Sequence, residues 1–442
     1  MRGDGPGGVR LPRRAVLGAG VAGGVPGLAA AARRAHAPIF ADAEFDAVLR
    51  TYASFGDKAA GGRGDEASGA WVEAQLTSAG FACERQEFEA PAFDAVDTSL
   101  TSGDARALVV PQSIVIATPA GGLTRPLRLA SQPGHPDVGG ALAVVVLPYR
   151  RWSSAKDPAV TAAVGAALGA GAAGVILVTT GPTGEALALN APASQPLFDR
   201  PVAVLAPRDA GPFLAAAAAG RNGTLIIAGH GYRRPAFNVI GRLRRGGRRT
   251  LVISTPRSGW FSCVGERGPG LAVWLALSRW AARSPLGVDV EVLCTSGHEY
   301  ENTGGIHYIE GLAPKPERVA LWVHLGANVA ARDWHELGAL TPLPSADPQR
   351  ILMGSSELIP RLRKAFAGQP GLEQPYPAQR GGAAGELTHV LKAGYAPAVG
   401  IFGGHRFHHS ANDDLRCISP SLARIVAEAF ASVIEETLTS GA

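Results

Sequence analysis

"TLVISTPRSGWFSCVGERGPGLAVWLALSRWAARSPLGVDVEVLCTSGHE", residues 250–299, decides the fold. Two short runs rich in β-branched and apolar residues, "TLVIST" and "VDVEVLCTS", flank "PGLAVWLALSRWAARS", whose length and apolar spacing fit a helix. Strands joined through a helix are parallel neighbours in one sheet. "FNVIGRL" upstream and "RVALWVHLGA" downstream continue the alternation. The sequence therefore predicts an α/β fold, a three-layer sandwich of mixed, mostly parallel sheet with helices on both faces. "SPSLARIVAEAFASVIEETL" adds a C-terminal helix with Leu422, Ile425, Val426, Phe430, Val433 and Ile434 on one stripe.

Working outward, the 442 residues suffice for two or three domains. Between 101 and 235 the composition shifts toward Ala, Val, Gly and Pro. There "ALAVVVLP" and "AGVILVTT" read as buried strands around the helix "DPAVTAAVGAALGAG". An α+β insert at 101–235 with its own core is expected, dividing the main domain into 38–100 and 236–442. The first of these pieces reads as two helices around a Gly-rich loop, with Gly80 as a stop.

Residues 1–37 read as a signal peptide of the twin-arginine type: Arg13 and Arg14, a mild apolar stretch, then "AHA" as a small-residue cleavage site. Export to the periplasm or outside the cell is expected, without stable membrane insertion; a retained anchor is the alternative. Of 42 basic and 37 acidic residues, six Arg and one Asp fall in 1–37, leaving 36 of each sign. The cluster Arg242–Arg249 reads as a charged hairpin turn, without the aromatic interleaving of a nucleic-acid surface, so no nucleic-acid partner is expected. The four widely spaced cysteines allow one or two disulfides outside the cytoplasm, whereas Cys294 inside an apolar strand reads as a buried thiol.

In parallel sheets, ligand sites collect at the carboxyl ends of the strands. The loops "TPRSGWFSCVGERG", "TSGHEYENTGG" and "HLGANVAARDW" leave such ends, and "GGHRFHHSANDD" precedes the last helix. "HEYEN" is not a zinc helix of the HExxH kind, because Asn302 stands four after His298. Cys263 is a candidate nucleophile for His298 and His409 to activate, with a small buried residue as the alternative. Trp260 either lines a pocket or packs on the sheet. His324 is equally a core histidine, and His405 reads as part of a solvated loop.

The order of these segments, together with the ending "HHSANDDLRCISPSLARIV", resembles the co-catalytic zinc aminopeptidase family, which also holds glutamate carboxypeptidases, glutaminyl cyclases and transferrin receptors. The resemblance covers 40–100 and 236–442, and the insert is similar to a protease-associated domain. Most metal-ligand positions are altered. The family's His-x-Asp falls on Thr255 and Arg257 in "STPRSG", and its bridging Asp falls on Glu266 in "ERGPG". Its Glu-Glu pair, a general base and then a ligand, falls on His298 and Glu299. The next Asp falls on Gly326, and the last histidine ligand on His409.

The resemblance implies an exported hydrolase or cyclase-like enzyme acting on a peptide or an amide-containing small molecule. Two accounts of its site stay open. In the first, Glu266, Glu299 and His409 hold one zinc ion and His298 is the acid/base. In the second there is no metal, because Arg257, with Arg267 helping, supplies the positive charge between Glu266 and Glu299. Arg267, Trp260, Glu386, His389 and His408 are the candidate substrate-binding residues. A non-catalytic descendant that binds a ligand or partner through the same cleft is the alternative function.

Overall fold

The strand Thr250–Pro256 is buried along its whole length, as are Asp289–Thr295 and Val319–Leu325. Strands without a polar face must be covered on both sides, and the helices do this. The computed structural model describes residues 39–130, 137–335, 340–379 and 382–439; the expected signal peptide at 1–37 lies outside them. The elements that carry the argument are strands β1 (Ala82–Ser102), β2 (Asn222–Leu243), β3 (Thr250–Pro256), β4 (Asp289–Thr295), β5 (Val319–Leu325) and β6 (Ala398–Gly403). Helices α1 (Asp42–Ser54), α2 (Arg63–Ser78), α3 (Val264–Arg283) and α4 (Pro420–Thr439) complete the set.

The sheet runs β2–β4–β3–β5–β6 through its middle. Strand β3 pairs in parallel with β4 and β5, and β5 with β6, while β2 lies antiparallel to β4. All four parallel strands therefore end at the same edge. On one face α1, α3 and α4 bury Phe45, Leu49, Leu271, Trp274, Val426 and Phe430. On the other, the helices Thr303–Gly311 and Leu387–Lys392 bring Tyr308 and Val390 against Trp322 and Tyr395. Each such side chain withdrawn from water contributes roughly 1.5–3 kcal/mol before entropy. The three layers match the sequence expectation. On α4 the stripe is narrower than expected, because Ile425 stays 38% exposed.

Strands β1 and β2 form one antiparallel ribbon from Ala82↔Arg242 to Thr101↔Thr224. It carries the chain from the main sheet into the insert, so the boundaries expected at 101 and 235 fall inside continuous strands. Beyond it, Leu142–Leu147, Gly174–Thr179 and Val202–Leu205 pair in parallel. Helix Pro158–Gly169 covers them, begun by Asp157, whose carboxylate accepts the Ala159 N–H at 3.0 Å. Two apolar clusters, one around Val144, Ile176 and Phe213 and one around Val145, Val164 and Leu177, pack the two faces of this smaller sheet. All four cysteines are free thiols, so no disulfide staples the fold. Among the described residues no helix is long and apolar enough to cross a membrane.

Candidate functional site

The loops that leave β4, β5 and β6 surround a cavity of ≈ 900 Å³. His298, His324, Glu386 and His408 line it, and the insert closes over it with Arg151 and Asn190. At its floor Glu386 stands between two imidazoles. His298 Nδ1 lies 3.8 Å from Glu386 Oε1, and His324 Nε2 lies 3.4 Å from Oε2. The His324 Nδ1 sits 2.9 Å from Ser254 Oγ, which accepts the Trp322 indole N–H at 2.8 Å. Burial alone would raise the Glu386 carboxyl, but the adjacent His298 imidazole and the charges of His324 and Arg267 win and bring it down to about 2. Burial lowers His324 to about 4 and lowers His298 as well. At neutral pH this gives a carboxylate between two neutral imidazoles, both of which line the cavity.

A second group lies deeper. Glu266 opens α3 with both carboxylate oxygens lacking a hydrogen bond, and the Arg267 guanidinium reaches its Oε1 at 2.6 Å. His409 Nε2 and His408 Nδ1 face that same oxygen at 3.4 and 3.9 Å, with their rings stacked 3.8 Å apart. The start of α3 is fastened by Asp413. Its carboxylate accepts the N–H of Gly265 at 2.5 Å and of Glu266 at 3.0 Å, and it meets His405 Nε2 at 3.1 Å. His405 is thus a buried partner of Asp413 rather than part of a solvated loop.

Arg257 is not where the metal-free account put it. It is fully buried, paired with Asp65 at 3.0 Å, donating to the carbonyls of Phe237 (2.7 Å) and Cys294 (3.2 Å), and stacked on the Phe237 ring. It bridges neither Glu266 nor Glu299, because the nearer carboxylate belongs to α2. Glu299 also departs from its expected place. The turn before α2 runs through Gly61, at φ 68° and packed so that a Cβ would meet Pro235 O at 2.2 Å. This turn aims the Ala60 N–H at Glu299 Oε1 (2.7 Å), and Ser258 Oγ donates to Oε2 at 2.7 Å. Held by these donors, Glu299 is absent from the group formed by Glu266, His408 and His409.

Burial pushes the Glu299 carboxyl up to about 7, against the lowering effect of its Ser258 hydrogen bond. The native state therefore holds this proton more tightly than the unfolded chain does. The resulting stabilisation is complete below pH ~4.5 and is lost as pH rises through about 7. Glu299→Gln is expected to remove a decline of about 3 kcal/mol between pH 5 and 8, read from denaturant midpoints across that range. An unchanged pH profile in the variant would contradict it.

Cys263 does not line the cavity. It precedes α3 with a positive φ of 39°, 1% exposed, its sulfur 3.2 Å from the Tyr52 hydroxyl. Burial pushes this thiol up, away from the thiolate a nucleophile needs. Trp260 packs edge-on against Tyr300 and donates to Asn190 Oδ1 at 2.9 Å, a joint between loop and insert rather than a pocket wall. His389 stands beside Asn302 at 3.4 Å, outside the lining of the large cavity, and Arg267 is likewise outside it. Of the expected site residues, His298, Glu386 and His408 reach the cavity. His324 and Ser254 complete the floor. The one sequence signal of His324 is alternation with Trp322 along an apolar strand, which looks the same for a core histidine.

No protein-family model matches the sequence, and no curated protein matches it. Solved structures do. BSAP, a zinc aminopeptidase from Bacillus subtilis, aligns with TM-score 0.67 at 16% identity, over 91% of this chain and 96% of its own. A peptidase M28 precursor from Shewanella amazonensis gives 0.70 at 16% identity, over 90% and 93%. An aminopeptidase from Aneurinibacillus sp. strain AM-1 gives 0.64 at 17%, over 90% and 94%. The fold is that of the zinc aminopeptidases.

Zinc in this aminopeptidase fold needs a donor set, and the residues present can be tested for one. Glu266, His408 and His409 place donor atoms within 4.8 Å of one another, a carboxylate and two imidazoles of the kind zinc accepts. A two-ion site does not fit. Thr255 Oγ1 donates to Leu325 O at 2.8 Å, Arg257 belongs to Asp65, and Gly326 has no side chain. At the remaining group Arg267 reaches the oxygen that both imidazoles face, while Glu266 Oε2 has no hydrogen-bond partner.

Proposed function

We propose that this protein is an aminopeptidase-like hydrolase or cyclase-like enzyme acting on peptide or amide substrates in the ≈ 900 Å³ cavity, with proton transfer carried by His298. The observation that carries the reading is the Glu386 carboxylate between two neutral imidazoles at the floor of that cavity. With Nδ1 turned toward Glu386, the other nitrogen of His298 is left for substrate. It accepts a proton from the attacking water, or from the substrate's own amine if the product is a ring, and returns it to the leaving nitrogen. Glu386 stabilises the imidazolium formed in between, and Ser254 and Trp322 fix the His324 ring that holds Glu386 from behind. No step runs through a metal.

A second reading, a binding module without turnover, is favoured by the buried pair in which Arg267 holds Glu266, the carboxylate at the family's bridging position. Incubation with a panel of aminoacyl and glutaminyl amides decides between them. Release of amine or ammonia supports the enzyme, and binding in the cleft without release of either supports the module.

The reading includes export directed by residues 1–37. N-terminal sequencing of the chain from its native compartment is expected to start after Ala37; a start at Met1 would contradict cleavage.

A further inference from the structure

We infer that the Arg267 guanidinium is the resident cation of the Glu266–His408–His409 group, occupying it in place of a divalent metal, and that its removal opens a zinc site there. The group is preassembled in every other respect. One carboxylate and two imidazoles lie with their donor atoms within 4.8 Å, all buried. Glu266 Oε1 and Oε2 and His408 Nδ1 have no hydrogen-bond partner, and His409 turns its Nε2 to Glu266 Oε1 at 3.4 Å. Such a set of unpartnered donors calls for a cation.

Arg267 supplies one. Its side chain is fully buried, its NH2 lies 2.6 Å from Glu266 Oε1, and its Nε donates to Ser258 O at 3.1 Å, which anchors it from the opposite side. Among the described residues Glu266 is the carboxylate within ion-pair distance of it. A metal bound by both imidazoles and Oε1 would share that oxygen with the guanidinium, putting three positive charges beside one buried carboxylate. The arginine cannot swing out, because it is enclosed on every side. Loss of the family's other ligand positions to Thr255, Arg257 and Gly326 is consistent with a site that no longer assembles around an ion.

The inference does not depend on the amide chemistry proposed above, since its readout is metal content. The full chain is incubated with excess zinc, desalted and assayed by elemental analysis, with cobalt absorption as a second readout. Wild type is expected to retain less than ~0.1 zinc per chain, and Arg267→Gln about one, with the cobalt spectrum of a tetrahedral site. Arg267→Gln/His409→Ala should lose it again. Tightly held zinc in wild type, lost on His409→Ala, would overturn the inference, and so would a folded Arg267→Gln protein that binds none. Were Arg267→Gln not to fold, wild type alone decides: zinc that neither stays bound nor raises the melting temperature supports the inference, and zinc that does either overturns it.

Discussion

Asp65→Ala is expected to destabilise the protein by about 3–5 kcal/mol, the loss typical of breaking a buried ion pair from one side. Asp65 is fully buried at the start of α2, and each of its oxygens has work. Oδ1 faces the Arg257 Nε at 3.0 Å, and Oδ2 accepts from the Gly61 N–H at 2.8 Å and the Ser296 hydroxyl at 2.7 Å. Alanine would leave the Arg257 cation with carbonyl oxygens and a phenyl ring as its only neighbours, and it would release the turn that presents Ala60 to Glu299. The measurement is the shift of the urea unfolding midpoint. Arg257→Leu in the Asp65→Ala background should recover part of the loss, because it removes the stranded charge. A loss below about 1 kcal/mol, the worth of an ordinary surface pair, would show that Arg257 has another counter-ion.

His298→Ala is expected to lower turnover of any amide substrate by 10²–10⁴-fold, the usual contribution of a positioned acid/base. Substrate binding should change little, since most of the cavity wall comes from other residues. Wild type should show a rate that is flat near neutral pH and falls on acidification, because protonated imidazole cannot accept a proton. The midpoint of that fall should lie below pH ~6.5, as burial lowers His298 beneath the ordinary histidine value. Glu386→Gln should lower turnover too, by withdrawing the charge that stabilises the imidazolium. An acid limb above 6.5, or full activity in His298→Ala, would remove His298 from the chemistry.

The layers of this protein could be read from its sequence because strand and helix periodicities are local properties. "TLVIST", "VDVEVLCTS" and the helix between them announce a parallel unit without reference to anything distant. The same locality put His298 at a strand end and His408 in the polar stretch before the last helix, while Glu386 came from the resemblance; the cavity receives all three. Partner choice is a different kind of information. Nothing near Arg257 says that its carboxylate will be Asp65, because that choice rests on a turn built from Gly61 and Pro235. Glu299 is held partly by a backbone N–H, and every residue but proline offers one. Adjacent helix residues usually point apart, so the contact between Glu266 and Arg267 is not what their spacing suggests. The sequence reading put Arg257 beside Glu266 with Arg267 helping, whereas the structure pairs Arg257 with Asp65 and Arg267 with Glu266.

The ribbon of β1 and β2 has a consequence for protein engineering. Modular insertions can often be trimmed to a short linker, yet here the insert enters and leaves in the middle of strands that also serve the main sheet. A cut at 101 and 235 would sever β2 close to its pairing with β4, whereas a cut nearer the ribbon's base would strip its outer half. Either trimmed chain would also lose the N–H groups of Ala188 and Ala191, which meet the carbonyls of His409 and Glu299 at 3.1 Å. The smaller sheet therefore braces the loops at the larger one's carboxyl edge, and a minimal version of this protein has to keep it.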